Sequence, residues 1–88
     1  MNKNKYKTQS LALASAIFTT SVAFLDSIEK DYSTNRATFC FTFTNKSNLD
    51  KIIKSFWNKD LNVDCLTYFE NIKQIKNRLY AEKGIYEK

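Results

Sequence analysis

Apolar residues recur at different spacings along this chain, and each change of spacing marks an element. Leu11, Ala14 and Phe18, flanked by Ala12, Leu13 and Ile17, predict a short helix buried over most of its surface. Thr8 is its expected cap, because a hydroxyl there accepts from the orphan N–H groups of Ser10 or Leu11. Over residues 21–29 the spacing becomes two. Val22, Phe24 and Ile28 fall on one face and Ala23, Leu25 and Ser27 on the other, while Asp26 breaks the first face and predicts a bend. After a polar connector at residues 30–35, residues 36–44 form the clearest strand. Ala37, Phe39, Phe41 and Phe43 face one way, toward a core; Thr38, Cys40, Thr42 and Thr44 face the other, β-prone but tolerant of water.

Helical spacing then returns twice. Leu49, Ile52, Ile53, Phe56 and Trp57 predict an amphipathic helix, opened by the S-x-x-D signature of Ser47 and Asp50; Asp50, Lys51, Lys54, Ser55 and Asn58 form its polar side. Residues 58–62 turn the chain. Val63 is placed to staple onto Tyr68 across an Asp64 cap. The last helix is expected from Cys65 to about Lys83, with Leu66, Phe69, Ile72, Ile75 and Leu79 inward and Gly84 as a left-handed stop. The expected fold is α+β: an N-terminal helix, a β-hairpin and two C-terminal amphipathic helices packed on one face of the hairpin. Residues 8–84 form this single domain, after a basic arm at residues 1–7 and before a tail at residues 85–88.

Composition narrows the chemistry. At 88 residues the chain has room for one small core, and its seven Phe, five Tyr and one Trp supply large buried areas without a disulfide or metal. There is no His, no Gly-rich phosphate loop and no diagnostic pairing of carboxylates, Lys, Tyr or Cys. The expectation is therefore a protein that is not an enzyme, with no catalytic residue, cofactor or metal site. The net charge is +5, yet Lys3, Lys5 and Lys7 account for much of it; without them the 14 basic and 9 acidic side chains reduce to an excess of two. Only Arg36 and Arg78 are arginine, whereas bidentate phosphate recognition often recruits that side chain.

The basic start followed by the apolar residues 11–25 imitates an export signal. Thr19, Thr20 and Ser21 interrupt the apolar run where such a signal should be most hydrophobic, and splitting it there gives the helix and strand described above. The run is also too short to span a bilayer. A cytoplasmic location without a membrane span is expected, with Cys40 and Cys65 as free thiols. The competing picture is a small exported protein with a Cys40–Cys65 bridge and, in that case only, a glycan acceptor at Asn45.

Two surfaces are candidates for function. On the last helix, Lys73, Lys76, Tyr80 and Lys83 recur at spacings of three, four and three, with Arg78 beside them, a cation and aromatic stripe suited to DNA or RNA phosphates. Lysines near a helix C-terminus also favour the macrodipole and solubility, so the stripe has an ordinary explanation too. On the hairpin, the outer face of Thr38, Cys40 and Thr42, with unpaired strand edges, suits strand addition or self-association.

Taken as one pattern, Tyr6-x-Thr8-x-Ser10-Leu11-Ala12-Leu13-Ala14, Phe39-Cys40-Phe41-Thr42-Phe43, Leu49-x-x-Ile52-Ile53-x-x-Phe56-Trp57, Val63-Asp64 and Ile72-x-x-Ile75-Lys76-x-x-Leu79-Tyr80 resemble a small domain of unknown function found in bacterial, phage and other mobile-element proteins. That resemblance implies the order α-β-β-α-α and a cytoplasmic, phage or mobile-element setting. It implies no activity. The leading expectation is a non-catalytic accessory protein acting by protein contact or self-association. The alternative is a nucleic-acid-binding accessory protein that uses the last helix together with Lys3, Lys5 and Lys7.

Overall fold

The computed structural model describes the backbone of residues 4–31, 33–34 and 36–86, and their side chains as far as residue 81. Six elements follow one another: β1 (Lys5–Thr8), α1 (Leu11–Thr20), β2 (Ala23–Asp31), β3 (Arg36–Phe43), α2 (Lys46–Trp57) and α3 (Cys65–Tyr86). The class is α+β as expected, and the helix, hairpin, helix, helix order is present. The addition is β1. Residues assigned to a basic arm instead form a strand antiparallel to β3, with Lys5 opposite Thr42 and Thr8 opposite Phe39. The sheet order is β1-β3-β2, so β3 is the middle strand.

The phenylalanines of β3 explain where the helices go. Phe39, Phe41 and Phe43 are buried and cluster with Leu13, Ala14 and Ile17 of α1, Leu49 of α2 and Ile75 of α3. A sheet this small needs such a cover, because a two- or three-stranded ribbon is marginal without one. α1 packs against both other helices and lies between them, buried from Leu13 to Ile17. Its small residues let the neighbours approach closely, and close packing makes each lost methylene costly.

Local chemistry sets the element ends, in places differently from the sequence pattern. Ser10, not Thr8, caps α1: its hydroxyl accepts from Leu13 N–H at 3.1 Å, while the Thr8 hydroxyl accepts from Ser10 N–H. Asn45, not Ser47, caps α2, accepting from Asn48 N–H at 3.0 Å. Asp50 is instead paired with Lys46 one turn earlier, at 3.2 Å. At the other end of α2, Lys59 takes a left-handed φ of 65°, Lys59 N–H donates to Phe56 and Asp60 N–H to Ser55. That pair of bonds satisfies carbonyls the helix would otherwise leave open. Asp64 caps α3 as expected, accepting from both the N–H and the hydroxyl of Thr67. Gly84 does not end α3, which continues through it to Tyr86.

The strand pairing corrects the faces assigned to β2. Leu25 is opposite Phe41, but Ser27 is opposite Cys40, so Asp26 is an extra residue in a β-bulge. A bulge shifts the alternation by one position. Ala23 and Leu25 face the helices before it and Ile28 faces them after it, while Phe24 points to the other side, 71% exposed. The expected bend at Asp26 is therefore real, and it changes which side chains are core.

Candidate interaction surfaces

The helix-free face of the sheet carries Thr38, Cys40 and Thr42 along its middle strand. Register places Lys5 and Lys7 on one side of them and Phe24, Ser27 and Glu29 on the other. Lys5 spans β3: its ammonium lies 2.5 Å from the Asp26 carboxylate and donates to the Thr42 hydroxyl at 2.7 Å, and Thr42 also donates to Asp26. Bonds from Lys5 and then Thr42 hold the Asp26 carboxyl below the usual carboxylate range. Lys7 is 3.5 Å from Glu29. Between these pairs is an open hollow of about 430 Å³ floored by Cys40, which is buried. The face is thus a set of cross-strand pairs in which the two lysines are already matched by acids. Lys3 lies outside the described residues.

The edges available for strand addition are not the two that a hairpin implies. β1 covers the β3 edge, so the outer strands are β1 and β2. β1 has only four residues, two of them lysine, and β2 is bulged at Asp26. Short, lysine-bearing and bulged edges are the usual devices against edge-to-edge pairing. Arg78 reinforces the second, donating to the Leu25 carbonyl at 3.2 Å and the Asp26 carbonyl at 2.9 Å.

That role removes Arg78 from the proposed nucleic-acid stripe. Lys73, Lys76 and Tyr80 remain exposed on α3, and the Lys83 side chain lies outside the described residues. The larger correction concerns Leu66 and Phe69, which were expected inward but are 64% and 57% exposed. The reason is angular. Leu66, Phe69, Ile72 and Ile75 are successive steps of three, each drifting about 60° around a helix of 3.6 residues per turn. Leu66 therefore ends opposite Ile75, the α3 residue that is fully buried. Tyr68, Ile72, Ile75 and Leu79 form the seam that the helix turns inward, a signal available in the spacing.

Polar bonds fasten α3 along that seam. Tyr68 donates its hydroxyl to the Ala12 carbonyl at 3.0 Å, and Asn71 donates to the Thr19 hydroxyl at 2.9 Å. Burial raises the Tyr68 pKa, and burial followed by the Asp50 charge raises that of Tyr6. With α3 so oriented, Leu66, Phe69, Lys73, Lys76 and Tyr80 form one outward line at spacings of three, four, three and four. Lys73 lies over the Phe69 ring, 5.2 Å from its centroid. Trp57 was also expected in the core but is 62% exposed at the end of α2, edge-on to Phe56.

Among the described residues no three His, Cys, Asp or Glu side chains converge on a metal position. Cys40 and Cys65 are both free, the first buried under the open sheet face and the second exposed at the start of α3. They are not bridged. No helix among the described residues is long and apolar enough to cross a membrane.

These features define a small α+β domain with a one-sided helix layer and an outward apolar line on its longest helix. The chain belongs to the family described as a domain of unknown function (DUF5659), whose model matches residues 3–81. No curated protein and no solved structure matches the chain.

Proposed function

We propose that this chain is a non-catalytic interaction protein that works by contact with another protein through the outer face of α3. The observation that carries the reading is the exposure of Leu66 and Phe69 in line with Tyr80 on a helix that has a separate inward seam. Single exposed apolar residues are ordinary, but aligned large ones at interface spacing mark contact sites. An accessory role in a phage or mobile-element setting, in the cytoplasm, belongs to this proposal. The sheet face contributes less, because its lysines are paired and its edges guarded.

Nucleic-acid binding is the second reading, favoured by Lys73, Lys76 and Tyr80. It is weakened by the engagement of Arg78, Lys5 and Lys7 elsewhere. A photo-crosslinking residue at position 69, compared with one at Lys51 on α2, tests the first reading in cells. Protein adducts from position 69 and none from position 51 are expected. Size-exclusion chromatography with light scattering tests the second: a salt-sensitive shift with short DNA or RNA, with no protein adduct at position 69, overturns the protein-contact reading.

A further inference from the structure

The α3 line has a definite charge pattern. Apolar groups stand at both ends, Leu66 and Phe69 at one and Tyr80 at the other, while Lys73 and Lys76 occupy the middle. Its spacing is that of the a and d positions of a heptad seam, over about 21 Å of helix at 1.5 Å per residue. Among the described residues neither lysine has a carboxylate partner: Glu70 stands three residues before Lys73, about 60° around the helix, yet the two are not paired. Both cations thus stand exposed and uncommitted to any acid among the described residues.

Three occupants compete for such a line. A second copy is disfavoured by register: two α3 helices paired along the full line bring lysine against lysine, whether parallel or antiparallel about its midpoint. Like charges facing each other at a seam select against that partner. A nucleic acid would use the lysines and the aromatics, but Leu66 has no face on which a base stacks. A helix with apolar residues at its ends and carboxylates in the middle uses every position. We infer that the α3 line docks an acidic amphipathic helix of a different protein, with Lys73 and Lys76 read by two or more Asp or Glu side chains near the middle of that helix. This rests on the protein-contact reading and deepens it. Lys73 is already set over the Phe69 ring, so the docked carboxylate meets a cation partly placed beforehand.

The test uses the full chain, isotope-labelled for NMR, and two synthetic three-heptad amphipathic peptides. Both carry Leu at the outer a and d positions; one has Glu and the other Lys at the central pair. Shifts confined to residues 66–80 and a preference of at least about tenfold for the Glu peptide are expected. Lys73→Glu with Lys76→Glu should reverse that preference, and Leu66→Gln with Phe69→Gln should weaken both peptides. Because all four positions are exposed, the unperturbed amide spectrum of each variant checks that the fold is intact. Equal binding of the two peptides, no binding of either, or displacement of the Glu peptide by a short oligonucleotide overturns the inference. If position 69 still crosslinks to protein in cells, but to a segment without acids, the partner chemistry fails while the protein-contact reading stands.

Discussion

α1 and α3 stand side by side in the helix layer and are held by different means. α1 has no charged residue and is buried from Leu13 to Ile17, with the sheet beneath it and a helix on either side. α3 is more than twice as long, yet Ile75 is its fully buried side chain among the described residues, and Tyr68, Asn71 and Arg78 fasten it by hydrogen bonds. Packing thus fixes α1, while a narrow seam and a few polar bonds fix α3. The lesson is that the two helices divide the work: the first organises the core, and the second has most of its surface free for contact.

The sharpest way to break that contrast is a matched pair of substitutions. Leu13→Ala removes a side chain that is 1% exposed and should cost about 2–5 kcal/mol in chemical denaturation, a large part of the stability of so small a domain. Leu66→Gln on α3 should change stability by less than about 0.5 kcal/mol. A loss at Leu66 as large as that at Leu13 would mean that the exposed line is part of the core.

A smaller effect is expected where α3 meets the sheet. Arg78→Gln removes two charge-assisted bonds to the Leu25 and Asp26 carbonyls and should cost about 1 kcal/mol, the low value reflecting its exposure. Faster amide exchange around the bulge in β2 would accompany that loss. Stability unchanged, with exchange unchanged, would assign the fastening of α3 to its apolar seam alone.

An effect of similar size but opposite sign is expected inside α1. Ser15 is wholly buried and its hydroxyl has no hydrogen-bond partner among the described residues. Ser15→Ala should therefore stabilise the fold by roughly 1 kcal/mol, read as a rise in the denaturation midpoint, because the unmet polar group is removed with little change in volume. A destabilisation would show that the hydroxyl makes a bond, sharpening the account of α1 as a helix held by packing.

Much of this fold was legible from residue patterns. The alternation of Phe39, Phe41 and Phe43 is period two without interruption, and such a strand has one face it can bury. The cap at Asp64 and the inward Ile72, Ile75 and Leu79 were equally plain. The misassigned faces have local causes: at Asp26 one extra residue shifts the alternation of β2, and on α3 steps of three carried Leu66 and Phe69 out of the seam. The drift of α3 was available from helix geometry, whereas the bulge needed the pairing partner to reveal it.

The candidate surfaces divide in the same way. Spacing alone put Lys73, Lys76 and Tyr80 on one side of a helix, and Thr38, Cys40 and Thr42 on one side of a strand, because both periodicities are properties of the backbone. What Arg78 touches, whether Lys5 and Lys7 are free, and which strand covers the β3 edge depend on residues 21 to 53 positions apart in the chain. β1 shows this most clearly: Lys-Tyr-Lys-Thr has too little apolar pattern to announce a strand, and becomes one because β3 offers it an unpaired edge. Residue spacing was enough to set the periods and every element except β1, because periodicity is local; tertiary contacts made that strand, and chose which polar groups were used up in holding the elements together and which were left facing outward.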